Sequence, residues 1–163
     1  MPRPSKSEAR SQIVDVIGEC VNYALGLKES LRDERAALEE QDTDALHSAV
    51  DTKSQCVDKM AELEKQRRAL CETSGFHAGP EQMIEMSLWC DEDSVVYKAW
   101  SHLMEIAAEC NALNLTNGAI IRMRNQMVER NLAVLRGANS NPDTYKRDGR
   151  DIAAMNRRSL AQV

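Results

Sequence analysis

Aromatic side chains are scarce in this chain, 4% of its 163 residues, and glycine and proline are sparse at 7 and 4. With so few ring and turn residues, and with Ala, Leu, Met, Glu, Lys and Arg abundant, the composition disfavours sheet and favours helix. No run approaches the roughly 20 apolar residues that a membrane span needs. Met1 to Arg10 is polar and no apolar segment follows it, so no secretory signal is expected and a cytoplasmic protein is. Basic surplus is missing too. The net charge is −5 and the pI is near 5.3, which argues against nucleic acid as a partner. The five cysteines, Cys20, Cys56, Cys71, Cys90 and Cys110, form no CxxC pair and are odd in number. They read as reduced core residues rather than a disulfide framework.

The usual signatures of catalysis are absent as well. Di-iron bundles need Glu-x-x-His on two helices, but Asp44, Ser74 and Ala99 stand three residues before His47, His77 and His102. Cys71 and His77 are close enough to share a zinc ion, yet a structural site needs four ligands. No phosphate-cradling loop, GxSxG or HExxH occurs. The sequence therefore predicts a protein that is not an enzyme, with no cofactor, no metal and no stable membrane insertion.

What is present is 42% hydrophobic and 29% charged residues, a globular balance. Ser5 and Glu8 have capping-box spacing, and an apolar seam follows through Ile13, Ile17, Cys20, Ala24, Leu27, Leu31, Glu34 and Leu38. Its alternating steps of four and three predict a first helix to about residue 41. Gln41-Asp42-Thr43-Asp44 is a polar break with N-cap side chains. A second helix is expected to about residue 73, through Leu46, Val50, Lys53, Val57, Met60, Leu63, Arg67 and Leu70. So short a connection makes the two antiparallel. Numbers of facing residues then sum to about 85–87 for a tight hairpin, which sets Ile17 near Leu70, Leu31 near Val57, and Glu34 opposite Lys53 as an ion pair.

Gly75, Gly79 and Pro80 end that helix. A short third helix, about residues 81–90, carries Met83, Ile84, Met86, Leu88 and Trp89. The acidic stretch at Asp91 to Asp93 suits the start of a fourth, predicted over about residues 94–136 and stopped by Gly137. Trp89 and Trp100 bracket this turn and are expected to anchor the core. The fold expected is all-α: an elongated, antiparallel, left-handed bundle of four helices, three long and one short. The bundle domain spans 1–137, and residues 138–163 form a flexible tail. That tail is net +2 against −7 for the rest, and its one amphipathic stretch carries Ile152, Met155, Leu160 and Val163.

The fourth helix carries an anomaly. Asn117, Arg124 and Asn131 recur every seven residues within an apolar seam. Buried and unpaired, each would cost about 1–3 kcal/mol. One reading is that they fix helix register, the best-attested role of a seam Asn. The other is that this half of the helix is only partly covered and accepts another chain. Gly118 permits either a kink or a close approach there.

Several stretches, in order, resemble the FlgN-type flagellar export chaperones. Glu34 to Leu38, Asp42, Ala45-Leu46, Lys53, Leu63, Arg67 and Gly75 are similar to the first half of that family. Cys110-Asn111, Asn114, Asn117-Gly118 and Ile121 resemble its C-x-x-x-N-x-x-N-G-x-x-I segment. Leu135-Arg136-Gly137 follows, and Thr144-Tyr145 with Gly149 looks like its T-Y-x-x-x-G tail element. The likeness covers roughly residues 20 to 150. It implies a chaperone of flagellar type III secretion. Such a protein binds the C-terminal helices of hook-associated proteins of the hook-filament junction, prevents premature assembly and delivers them to the export gate. By that resemblance, Tyr145 and Gly149 dock to the gate. Ile152, Met155, Leu160 and Val163, with Met127 and Leu135 at the end of the long helix, bind the client. The alternative from a different class is a generic coiled-coil adaptor or scaffold acting as a homodimer.

Overall fold

A computed structural model describes residues 3–77 and 79–139, and four helices account for most of them. Helix α1 spans Lys6–Glu40, α2 Thr43–Thr73, α3 Pro80–Cys90 and α4 Val95–Asn139. No strand occurs among the described residues.

Local chemistry explains where each helix starts and stops. Ser5 caps α1 by accepting from the Glu8 amide, and the Glu8 carboxylate accepts from the Ser5 amide at 2.9 Å, a complete capping box. At the other end Gln41 turns left-handed (φ 62°), and the Asp42 amide donates to the Ala37 carbonyl at 3.1 Å. The Asp42 carboxylate then accepts from the Asp44 and Ala45 amides, both at 3.0 Å, so one residue closes one helix and opens the next. Helix α2 ends in a Schellman motif. The Phe76 amide donates to the Cys71 carbonyl at 2.9 Å and the Gly75 amide to the Glu72 carbonyl at 3.0 Å. That motif needs a left-handed residue, and Gly75 supplies it with φ 82°.

The α3–α4 corner is held by an acid. One oxygen of Asp91 accepts from Arg10 Nε at 2.9 Å, and the other accepts from the Val96 amide at 2.7 Å. Asp91 is buried, and Ser94, the residue before α4, is left-handed (φ 61°). The expected acidic start of the helix is thus one specific cap, delivered from three residues upstream of the usual cap position. Burial pushes the Asp91 carboxyl up. The Val96 amide, the charge of Arg10 and the Asp93 amide outweigh burial and hold it below the usual carboxylate range.

The core follows the expected α1 seam. Ile13, Ile17, Cys20, Ala24, Leu31, Glu34 and Leu38 are all buried. The α2 seam does not follow it. Val50 and Val57 are 42% and 48% exposed, whereas Ala49 and Cys56 are buried. The true seam, Leu46, Ala49, Lys53, Cys56, Met60, Leu63, Arg67, Leu70, keeps strict alternation of three and four. The valines are larger and more apolar, but they break that rhythm. The small residues let the helices approach closely: a Cβ on Gly26 would stand 3.3 Å from Cys56 Sγ.

The tryptophans pack beside the core rather than inside it. Trp89 lies half-buried against Phe76 with Arg3 over its ring, and Trp100 is half-buried beneath the Arg67 guanidinium. Met83 and Met86 of α3 are fully buried, while Ile84 and Leu88 face outward. All five cysteines are free and buried, as expected of reduced core residues. Burial raises the thiol pKa of Cys20, Cys71, Cys90 and Cys110. Helix α4 passes through Gly137 instead of stopping before it. A lone glycine costs a helix only about 1 kcal/mol relative to Ala, too little to end one by itself. The chain divides into two compact units, Met1–Ile121 and Arg122–Val163.

Candidate partner-binding surface

In the first unit the polar seam has an explanation. Asn117 of α4 is buried, and its Nδ2 donates to the Leu31 carbonyl and to Glu34 Oε2, both at 2.8 Å. Glu34 is buried as well, and Lys53 Nζ donates to both its oxygens at 3.2 Å. Lys53 Nζ also reaches Asn114 Oδ1 at 2.9 Å. The expected Glu34–Lys53 pair is therefore formed, and α4 joins it through two asparagines. A network of this kind fixes the register of three helices at once, since sliding any of them strands a buried charge. Within it, Asn117 Oδ1 has no hydrogen-bond partner among the described residues.

Beside this network an apolar groove of about 260 Å³ runs between Leu27, Leu31, Val57, Met60 and Cys110, with Lys53 and Asn114 at its end. The thiol that lines it, Cys110, donates to the Ala24 carbonyl at 3.6 Å. Among the described residues no three His, Cys, Asp or Glu side chains are grouped to hold a metal ion. The buried cation Arg67 is spoken for: it pairs with Glu64 at 2.7 and 2.9 Å, approaches the sulfurs of Cys71 and Met83, and lies over Trp100. Hydrogen bonding to that guanidinium holds the Glu64 carboxyl low, against the opposing effect of burial. These polar groups serve packing.

The second unit differs. Arg124 is half-buried and Asn131 exposed, so of the three recurring polar residues only Asn117 is a buried register residue. Met127 and Leu135 are 65% and 62% exposed. They do not stand alone, because Met123, Val128, Leu132 and Val134 are exposed beside them. Of these, Leu132 was not recognised from the sequence, and neither was Met123. Met123 lies off the heptad seam, although it is four residues before Met127 and so shares its face. Tyr145, Gly149, Ile152, Met155, Leu160 and Val163 lie outside the described residues.

A family model described as FlgN protein matches residues 9–151. The chain belongs to the FlgN family. FlgN proteins are chaperones, and membership implies a role in flagellar export. The match takes in all the elements that carried the resemblance, including Tyr145 and Gly149, and begins earlier, at Ala9. It ends one residue before Ile152. Searches among curated proteins and among solved structures found no match. Among the described residues of this FlgN protein, no helix is long and apolar enough to cross a membrane.

Proposed function

We propose that this FlgN protein is a cytoplasmic chaperone without enzymatic activity. It binds the C-terminal helices of hook-associated proteins, keeps them from assembling early and delivers them to the export gate. The observation that supports this reading most is the row of large apolar side chains left exposed on α4 between Met123 and Leu135. Soluble proteins rarely leave such a face uncovered without a partner, and an amphipathic helix is the partner shape that a helical face accommodates best. In this reading Met127 and Leu135 act with Ile152, Met155, Leu160 and Val163 to hold the client, while Tyr145 and Gly149 contact the gate.

Co-purification with hook-associated proteins tests it. The full chain is expected to retain them, and a chain truncated from Asp143 onward is expected to keep its helicity by circular dichroism but release them. Undiminished retention by the truncated chain would remove the tail from the binding element. Changing Tyr145 to Ala should spare client binding and reduce export in a secretion assay; loss of client binding instead contradicts the docking role.

A further inference from the structure

Charge is divided unequally along the chain. Residues 1–121 hold 12 basic and 22 acidic side chains, a net charge of −10. Residues 122–139 hold Arg122, Arg124, Arg130 and Arg136 against Glu129 alone, a net charge of +3. At 3.6 residues per turn, the exposed side chains Met123, Met127, Val128, Leu132, Val134 and Leu135 occupy about half of the helix circumference. Arg130 is three residues after Met127 and four before Val134, so it stands on one border of that strip. Arg136, four after Leu132, stands on the other, and Arg124 lies within the strip, three and four residues before Met127 and Val128. Glu129, three residues before Leu132 and seven before Arg136, lies along that same second border.

We infer that this strip selects a partner helix whose apolar face carries carboxylates along the border that meets Arg124 and Arg130. The inference deepens the proposed chaperone reading and rests on it, since it names the chemistry by which a client segment is chosen. Apolar contact supplies attraction but little discrimination between one amphipathic helix and another. Arg130 on one border and Arg124 within the strip convert that side into a charge-reading surface that favours an acidic rim and repels a basic one. Arginine suits this role because its planar fork holds a carboxylate in two-point contact.

The test uses the full chain and two labelled 20-residue amphipathic peptides with identical Leu/Ile faces, one bordered by Glu and the other by Lys. Fluorescence anisotropy at about 50 mM and about 500 mM NaCl compares their affinities across a range where surface charge becomes screened. The Glu-bordered peptide is expected to bind about tenfold more tightly at low salt, with the gap shrinking at high salt. Changing Arg124 and Arg130 together to Gln should remove most of that preference and leave the circular dichroism spectrum unchanged. Changing Met123 and Met127 to Ser should weaken both peptides. Equal affinities overturn the inference, as does a preference that survives loss of both arginines. A dimer in sedimentation that Met127→Ser dissociates, and that the Glu-bordered peptide cannot compete with, overturns it too. Co-purification with hook-associated proteins, run in parallel, separates the two failures. Clients retained without a peptide preference leave the chaperone reading standing and sink the charge selection; a peptide preference without clients does the reverse.

Discussion

The two units of this chain treat the same kind of residue in opposite ways. Up to Ile121, polar residues on the helix seams and at the α3–α4 corner are buried or half-buried and mostly paired: Glu34 with Lys53, Asn117 with the Leu31 carbonyl, Asp91 with Arg10 and the Val96 amide. From Arg122 to Arg136 the seam positions are solvent-facing or half-buried, and Met123, Met127, Val128, Val134 and Leu135 are more than half exposed. One helix, α4, contributes to both. The lesson is that a continuous amphipathic pattern does not assign a continuous role: the same rhythm builds a core over one stretch and an adhesive face over the next.

The sharpest way to break that comparison is to delete apolar volume in both units. Ile17→Ala should destabilise by about 2–5 kcal/mol, because Ile17 is fully buried and a cavity remains. Met127→Ala should change stability by less than about 0.5 kcal/mol, as for other exposed sites, while weakening client retention. Urea midpoints read both. Equal losses would mean that Met127 is packed in solution.

A somewhat smaller effect is expected at the buried ion pair. Glu34→Ala strands Lys53 and removes one acceptor of Asn117, at a cost of about 2–4 kcal/mol, the lower part of the range for breaking buried pairs because Lys53 is partly exposed. Changing Lys53 and Glu34 together to Met and Leu should recover much of that loss. A double variant as unstable as the single would show that the network contributes stability beyond its own desolvation.

The sequence made much of the first unit legible. Ser5 and Glu8 announced the cap, the polar break at Gln41 to Asp44 announced a hairpin, and the hairpin's geometry paired Glu34 with Lys53 before any coordinates. The α2 seam was misplaced for a physical reason. Hydrophobicity favours Val50 and Val57, whereas close helix approach beside Gly26 favours Ala49 and Cys56, and only the strict heptad rhythm separates the two. Asp91 was legible as an acid near a helix start but not as its cap, because the left-handed Ser94 that brings it into reach leaves no composition signal. The helix passed Gly137 because a glycine lowers helix propensity without forbidding it. In the candidate surface, Met127 and Leu135 were named through the family resemblance. Met123 and Leu132 were not, and exposure itself is not written in a pattern.

Acid sharpens the contrast further. The carboxyl of Asp91 titrates below its unfolded value of about 3.9. The stabilisation it contributes is therefore complete above pH of about 4 and is lost as pH falls through the lower folded value. Asp91→Asn should flatten the acid limb of the melting temperature against pH, and an unchanged limb would show that other carboxylates carry it.

The smallest effects belong to the glycines. Gly18→Ala meets nothing within 4 Å and should stabilise α1 by about 0.5–1 kcal/mol. Gly26→Ala should give less or turn unfavourable, because its new methyl presses on Cys56 Sγ at 3.3 Å. Equal gains at both positions would deny the close α1–α2 approach.

Amide hydrogen exchange of the full chain, alone and with a co-purified hook-associated protein, tests most directly whether 122–139 is a partner surface. The account predicts that amides of residues 122–139 slow markedly in the complex while those of Ile13 to Leu38 barely change. Unaltered exchange over 122–139, with new protection confined to the first unit, would contradict it.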